Sequence, residues 1–109
     1  MHELALTESI VDAITERVGD ARVVTVRLRV GRLAAVLPDA LRFCFDVCTR
    51  GTTLEGAALE IADVPGRGAC HDCGAEIEIE DLFSACPCGS ARVEVIGGHE
   101  LRLEAVEVV

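Results

Sequence analysis

Cys70-His71-Asp72-Cys73-Gly74 and, after a short spacer, Cys86-Pro87-Cys88-Gly89 form the stretch that decides how the rest of this chain is read. Four thiols in two close pairs, each pair followed by glycine, suit a tetrahedral sulfur site. The first cysteine of each pair opens a tight turn. The glycine tolerates positive φ, so backbone N–H groups can swing toward the sulfurs and spread their charge. Zinc is the default occupant of such a set. The second pair is shortened, because Pro87 alone separates its cysteines where two residues are usual. The fourth ligand is therefore Cys88, a strained Cys88, or a substitute such as His71.

Around this stretch the spacer Glu76-Ile77-Glu78-Ile79-Glu80 alternates as a small strand, and Val93 to Ile96 is expected to pair near it as a ribbon. So small a segment, with few large apolar side chains, cannot bury enough surface to hold itself together. A structural zinc contributes about 10–16 kcal/mol of apparent binding energy, which removes the deficit. Pro65-Gly66-Arg67-Gly68 on one side and Gly97-Gly98 on the other read as flexible joins through which the ribbon moves.

Outside the insert the periods change. Leu6, Ile10, Ile14 and Val18, with Val11 alongside, predict an amphipathic helix over residues 4–18 that Gly19 and Asp20 end. Val24, Val26, Leu28 and Val30 alternate with Thr25, Arg27 and Arg29, predicting a half-buried strand whose arginine face is solvated or meets an acidic partner. Pro38 and Asp39 start a second helix. Leu41, Cys44, Phe45 and Cys48 form its apolar stripe, with the two cysteines read as buried small hydrophobes. Strands are expected from Ala57 to Val64 and from His99 to Val109, the latter bulged near Ala105. The fold class is α+β: a three-stranded sheet with two helices, plus an inserted zinc-ribbon-like domain. Its expected limits are residues 1–66 and 99–109 for the sheet domain and 67–98 for the insert.

Composition excludes several functions. The chain has 109 residues and a formal charge of −9, and its ten basic residues are all arginine. Nucleic-acid binders concentrate positive charge and stacking aromatics, and here the aromatics are three phenylalanines. No nucleic acid is expected as a partner; cations and basic protein surfaces suit such a charge. The apolar runs are too short to span a membrane, and no signal peptide is evident, so a cytoplasmic protein with reduced thiols is expected. An enzyme is not expected: no nucleophile, base and acid set stands out, and a four-cysteine zinc leaves no open position for water. A dithiol redox role for Cys70 and Cys73 lacks the strand-helix-strand context of such motifs.

Met1-His2-Glu3 is the remaining chemical feature. The terminal amine, the deprotonated amide of His2 and its ring Nδ1 can form adjoining five- and six-membered chelate rings, and the Glu3 amide can close a square. Nickel(II) and copper(II) favour that flat nitrogen set. A solvated terminal histidine is the plain alternative.

The Met-His-Glu start, the amphipathic helix, the Val-Gly-Arg-Leu turn at Val30 to Leu33, and a two-pair cysteine insert leading into Gly-x-Glu-Leu-x-Leu together resemble the HypA/HybF nickel metallochaperones. The resemblance covers the full chain. It implies Ni(II) as cargo at His2, assisted by the backbone nitrogens of Met1 and Glu3, and structural Zn(II) on Cys70, Cys73, Cys86 and Cys88. It implies work with a HypB-type GTPase to insert nickel into the large subunit of nickel-iron hydrogenase, some members also serving urease. The rival reading is a structural zinc-ribbon adaptor that carries no nickel.

Overall fold

The structure, a computed structural model, describes residues 2–109. Two helices and six strands follow in the order α1 (His2–Val18), β1 (Val23–Gly31), α2 (Pro38–Thr49), β2 (Ala58–Val64), β3 (Gly66–Cys70), β4 (Glu76–Ile79), β5 (Val93–Gly97) and β6 (Leu101–Val108), with a short 3-10 turn at Arg32–Ala34. They form two three-stranded sheets, ordered β2-β1-β6 and β4-β3-β5. The α+β reading, with two helices and a ribbon-like second sheet, stands. The chain divides into two compact units. The first comprises Met1–Leu28, Val36–Ala62 and Arg102–Val109, and the second Arg29–Ala35 and Asp63–Leu101. The unit containing the expected insert, residues 67–98, is thus wider than that stretch.

In the first unit, the core is built from Val11 and Ile14 of α1, Val23, Val26 and Leu28 of β1, Leu41 and Phe45 of α2, and Leu54. The buried line of α1 runs Glu3, Thr7, Val11, Ile14, while Leu6 and Ile10 lie half-buried at its side. Polar residues reach the core because their groups are satisfied: the Thr7 hydroxyl donates to the Glu3 carbonyl at 2.7 Å. In β1 the alternation also starts differently from expectation. Val23 is buried and Val24 exposed, and the Val23 N–H donates to the Thr53 carbonyl at 3.0 Å. From Val26 onward apolar residues face inward and Arg27 and Arg29 outward. Arg27 pairs with Glu60 on the neighbouring strand at 2.9 Å, so part of the arginine face meets an acidic group of the chain itself.

Helix α2 begins at Pro38, whose missing N–H is no loss in a first turn. Its buried residues are Leu41, Phe45 and Thr49, and the Thr49 hydroxyl donates to the Phe45 carbonyl at 2.8 Å. Cys44 and Cys48 flank that line and are half-buried, where full burial was expected.

In the second unit, the segment read as a flexible join is instead a strand. β3 begins directly after Pro65 and is the central strand, antiparallel to both β4 and β5, with Gly68 opposite Ile77 on one side and Val95 on the other. The spacer strand and the 93–96 strand therefore do not pair with each other. Glycine is required here by close backbone approach. A side chain at Gly66 would place its Cβ 2.6 Å from the Ile79 carbonyl oxygen and 2.8 Å from Leu33. Gly98, at φ +87°, would place one 2.5 Å from the Pro65 carbonyl oxygen and against Gly66 Cα. Gly31 sits still more tightly against the Gly98 carbonyl, and the Leu33 N–H donates to that carbonyl at 2.8 Å. Arg32 closes the same region with ion pairs to Asp63 at 3.0 Å and Glu80 at 2.8 Å.

Candidate metal centres

The two cysteine pairs stand on two matching turns. Cys70 ends β3, and the Gly74 N–H donates back to the Cys70 carbonyl at 3.0 Å; Cys86 leads the second turn, where the Gly89 N–H donates to the Cys86 carbonyl at 2.8 Å. Both glycines have positive φ, +78° and +98°, which lets each turn close behind its second cysteine. A ladder ties the turns to the sheet: the Cys70 N–H donates to Ala75, His71 to Arg92, and Cys86 to Ser90.

All four sulfurs, Cys70, Cys73, Cys86 and Cys88, come within 4.8 Å of one another. Cys70 and Cys88 are 3.7 Å apart, and Cys73 and Cys86 3.6 Å. A tetrahedron with metal–sulfur bonds of about 2.3 Å has edges of about 3.8 Å, whereas a disulfide bond is about 2.05 Å long. These spacings fit thiolates around one ion, and no cysteine is in a disulfide. The shortened Cys86-Pro87-Cys88 turn brings both of its sulfurs to the cluster. His71 points elsewhere, its Nε2 standing 3.1 Å from the Glu94 carboxylate.

Electrostatics in the cluster also call for a cation. The Cys73 N–H, 3.5 Å from the Cys70 sulfur, and the neighbouring Asp72 N–H draw Cys70 down to about 6 in spite of its burial. At Cys86 the Cys88 N–H acts downward, but burial and the surrounding thiols of Cys88, Cys73 and Cys70 prevail and push it up to about 12. Sulfurs this close cannot all carry charge unless a positive ion stands among them. Cys70 and Cys86 are buried while Cys73 and Cys88 are exposed, so the cluster has one shielded side and one open to water.

Asp72 is the supporting residue that sequence reading missed. Its carboxylate accepts hydrogen bonds from the Ser90 hydroxyl and, at 2.9 Å, from Arg92 Nη1, linking the first cysteine turn to residues that follow the second. Its place between the cysteines of the first pair was the available signal, but its partners lie 18 and 20 positions away.

At the other candidate centre, Met1 lies outside the described residues, while His2 and Glu3 begin α1. The His2 side chain is half-exposed, and its Nε2 stands 3.5 Å from the Glu3 carboxylate. That carboxylate accepts the Leu37 N–H at 3.2 Å, and this hydrogen bond, with one from Glu3's own N–H, holds it below its ordinary value of 4.5. Glu3 was read from sequence only as a backbone donor. Its buried side chain is an anchor for the start of α1. The four cysteines and the His2-Glu3 pair belong to different compact units.

The family model described as "Hydrogenase/urease nickel incorporation, metallochaperone, hypA" matches residues 1–108. Among curated relatives, the hydrogenase maturation factor HypA of Nostoc punctiforme is 48% identical over 108 residues, covering 99% of this chain and 96% of the relative. That of Geobacter metallireducens is 47% identical over 109 residues, covering 99% of each chain. The fold is similar to the solution structure of the Ni metallochaperone HypA from Helicobacter pylori, with a TM-score of 0.65, 21% identity, and coverage of 98% of this chain and 97% of that one. The chain belongs to the HypA family of hydrogenase/urease nickel-incorporation metallochaperones.

Proposed function

We propose that this protein carries nickel on its N-terminal arm and keeps zinc on its four cysteines. Nickel(II) would take the amine of Met1, the amide nitrogens of His2 and Glu3, and His2 Nδ1. The observation that carries this reading is the Glu3 carboxylate, set against His2 Nε2 and fixed by the Leu37 N–H. A carboxylate facing one ring nitrogen directs the other to a metal and raises its basicity. The first N–H groups of a helix also lack intrahelical acceptors, so the ladder of α1 makes no claim on the His2 amide, and the Glu3 N–H turns to its own carboxylate.

Zinc on Cys70, Cys73, Cys86 and Cys88 would be static, since soft thiolates bind it tightly and a four-sulfur set leaves no open position. A terminal nitrogen site with an accessible imidazole suits an ion that must be handed on. The expected partners are a HypB-type GTPase and the large subunit of nickel-iron hydrogenase, with urease as a second acceptor. The work is delivery in the cytoplasm, without catalysis by this chain. Among the described residues, no helix is long and apolar enough to cross a membrane.

Native mass spectrometry of the untagged chain with added nickel tests the reading, comparing the natural protein with His2→Ala. One zinc retained in both, with one nickel bound only where His2 is present, is the expected result. Zinc alone in both, with no nickel bound by either, would overturn it and favour an adaptor that carries no nickel, and equal nickel uptake by both would overturn the assignment to His2. The zinc-ribbon boundary proposed at residues 67–98 can be tested by expressing that segment with zinc.

A further inference from the structure

Helix α2 carries two thiols that neither centre uses. Cys44 and Cys48 are four residues apart, both free and half-buried. One helical turn sets their Cβ atoms about 5–6 Å apart on one face. A disulfide needs Cβ atoms about 3.5–4.5 Å apart, so the helix holds the pair open against direct oxidation. Two metal–sulfur bonds of roughly 2.3 Å each, placed end to end, cover about 4.6 Å. Cβ atoms one turn apart leave room for a single ion to bridge where a disulfide cannot form.

Both thiols open on clefts. Cys44 lines a cleft of about 350 Å³ with Glu3, Leu4, Ala40, Phe43 and Val47. Cys48 opens on an adjoining cleft of about 430 Å³, where α1 presents Glu8 and Asp12. Burial first, then the charges of Glu8, Cys44 and Asp12, raise the Cys48 thiol above its usual value. One Cu(I) offsets one of the two thiolate charges, so the pair holding copper carries half the negative charge that two free thiolates would set against Glu8 and Asp12. Among the described residues, the four-cysteine cluster is the single group of three or more His, Cys, Asp or Glu side chains whose ligand atoms converge. Cys44 and Cys48 therefore have no third ligand in place. Two sulfurs alone suit a soft monovalent ion, while zinc and nickel ask for a fuller set.

We propose that Cys44 and Cys48 form a second metal site, which takes one Cu(I) between them. Binding involves no change of oxidation state: two Cu–S bonds form, both thiols release their protons to solvent, and the neutral pair becomes a bis-thiolate copper(I) unit carrying one negative charge. The clefts on either side give the ion a way in and out.

The test is an anaerobic titration of the zinc-loaded full chain with Cu(I) against a chromophoric Cu(I) chelator, with zinc counted by native mass spectrometry. The natural chain is compared with Cys44→Ser, Cys48→Ser and Cys44→Ala, whose circular dichroism and zinc content report folding. One Cu(I) bound with zinc retained, and at least a tenfold loss of affinity in each folded variant, is expected. X-ray absorption of the natural chain should show two sulfur neighbours at copper, and bound copper should protect both Cys44 and Cys48 from alkylation, a readout that needs no variant. Copper taken up only as zinc leaves, affinity equal in all variants, or alkylation of the two thiols unchanged by copper would each overturn the proposal.

Discussion

Replacing Gly98 by alanine should be among the most damaging single-methyl additions in this protein. Its φ of +87° costs a non-glycine residue roughly 1–2 kcal/mol. The new Cβ would also stand 2.5 Å from the Pro65 carbonyl oxygen and against Gly66 Cα, both backbone atoms that cannot rotate away. Overpacking of that kind adds about 1–3 kcal/mol, for a total of about 2–5 kcal/mol out of a typical domain stability of about 5–15 kcal/mol. Two controls separate the contributions. Gly19→Ala meets positive φ, +61°, with nothing within 4 Å, and should cost only about 1 kcal/mol. Gly31 has φ −72°, so alanine there carries no dihedral penalty, only the collision with the Gly98 carbonyl. Gly98→Ala and Gly31→Ala are both expected to destabilise well beyond Gly19→Ala. Urea unfolding of the zinc-loaded chains reads the difference directly: with a slope of about 1–3 kcal/mol per molar, the Gly98→Ala midpoint should fall by about 2 M. If Gly98→Ala lost no more stability than Gly19→Ala, these glycines would be flexible joins after all, and the close-packing argument would fail.

Other consequences can be checked separately. Zinc removal by a chelator should abolish hydrogen-exchange protection in β3, β4 and β5 while α1 and α2 keep theirs; equal loss in both units would show that the ribbon is not what the metal holds. Asp72→Ala removes the links to Ser90 and Arg92, and zinc affinity should drop by about 10–100-fold in a competition assay. Phe45→Ala empties a site that is 3% exposed and should cost about 3–5 kcal/mol in thermal or urea unfolding. Glu3 has a folded-state value below its ordinary 4.5, so its stabilisation is present above that value and is lost as pH falls through the lower folded one. The stability gap between the natural chain and Glu3→Gln should accordingly narrow on acidification below about pH 5. Nickel affinity measured by calorimetry should weaken from pH 7.5 to 6, because protons compete for the imidazole and amide nitrogens; a flat profile would contradict amide ligation.

Local patterns alone specified much of this molecule. Helix α2 follows from Pro38 and the Leu41-Phe45 spacing, and the outer part of β1 from its alternation after Val26, because side-chain periodicity is a property of neighbouring residues. The two cysteine turns with their glycines were legible for the same reason, as was the likeness to the nickel metallochaperones. Tertiary structure decided what depends on distant partners. Gly66-Arg67-Gly68-Ala69-Cys70 has no apolar alternation and reads as a join, yet it is the central strand, because strands on both sides supply its hydrogen bonds and need glycine to come close. Glu3 looks like a solvated carboxylate until α1 is set beside Leu37, 34 positions away. Cys88 could not be assigned from a shortened turn, since whether its sulfur reaches the cluster depends on how the second turn is held by Ser90 and faces Cys70. Spacing along the chain determines which side chains share a face, and packing between segments far apart in sequence determines what that face meets.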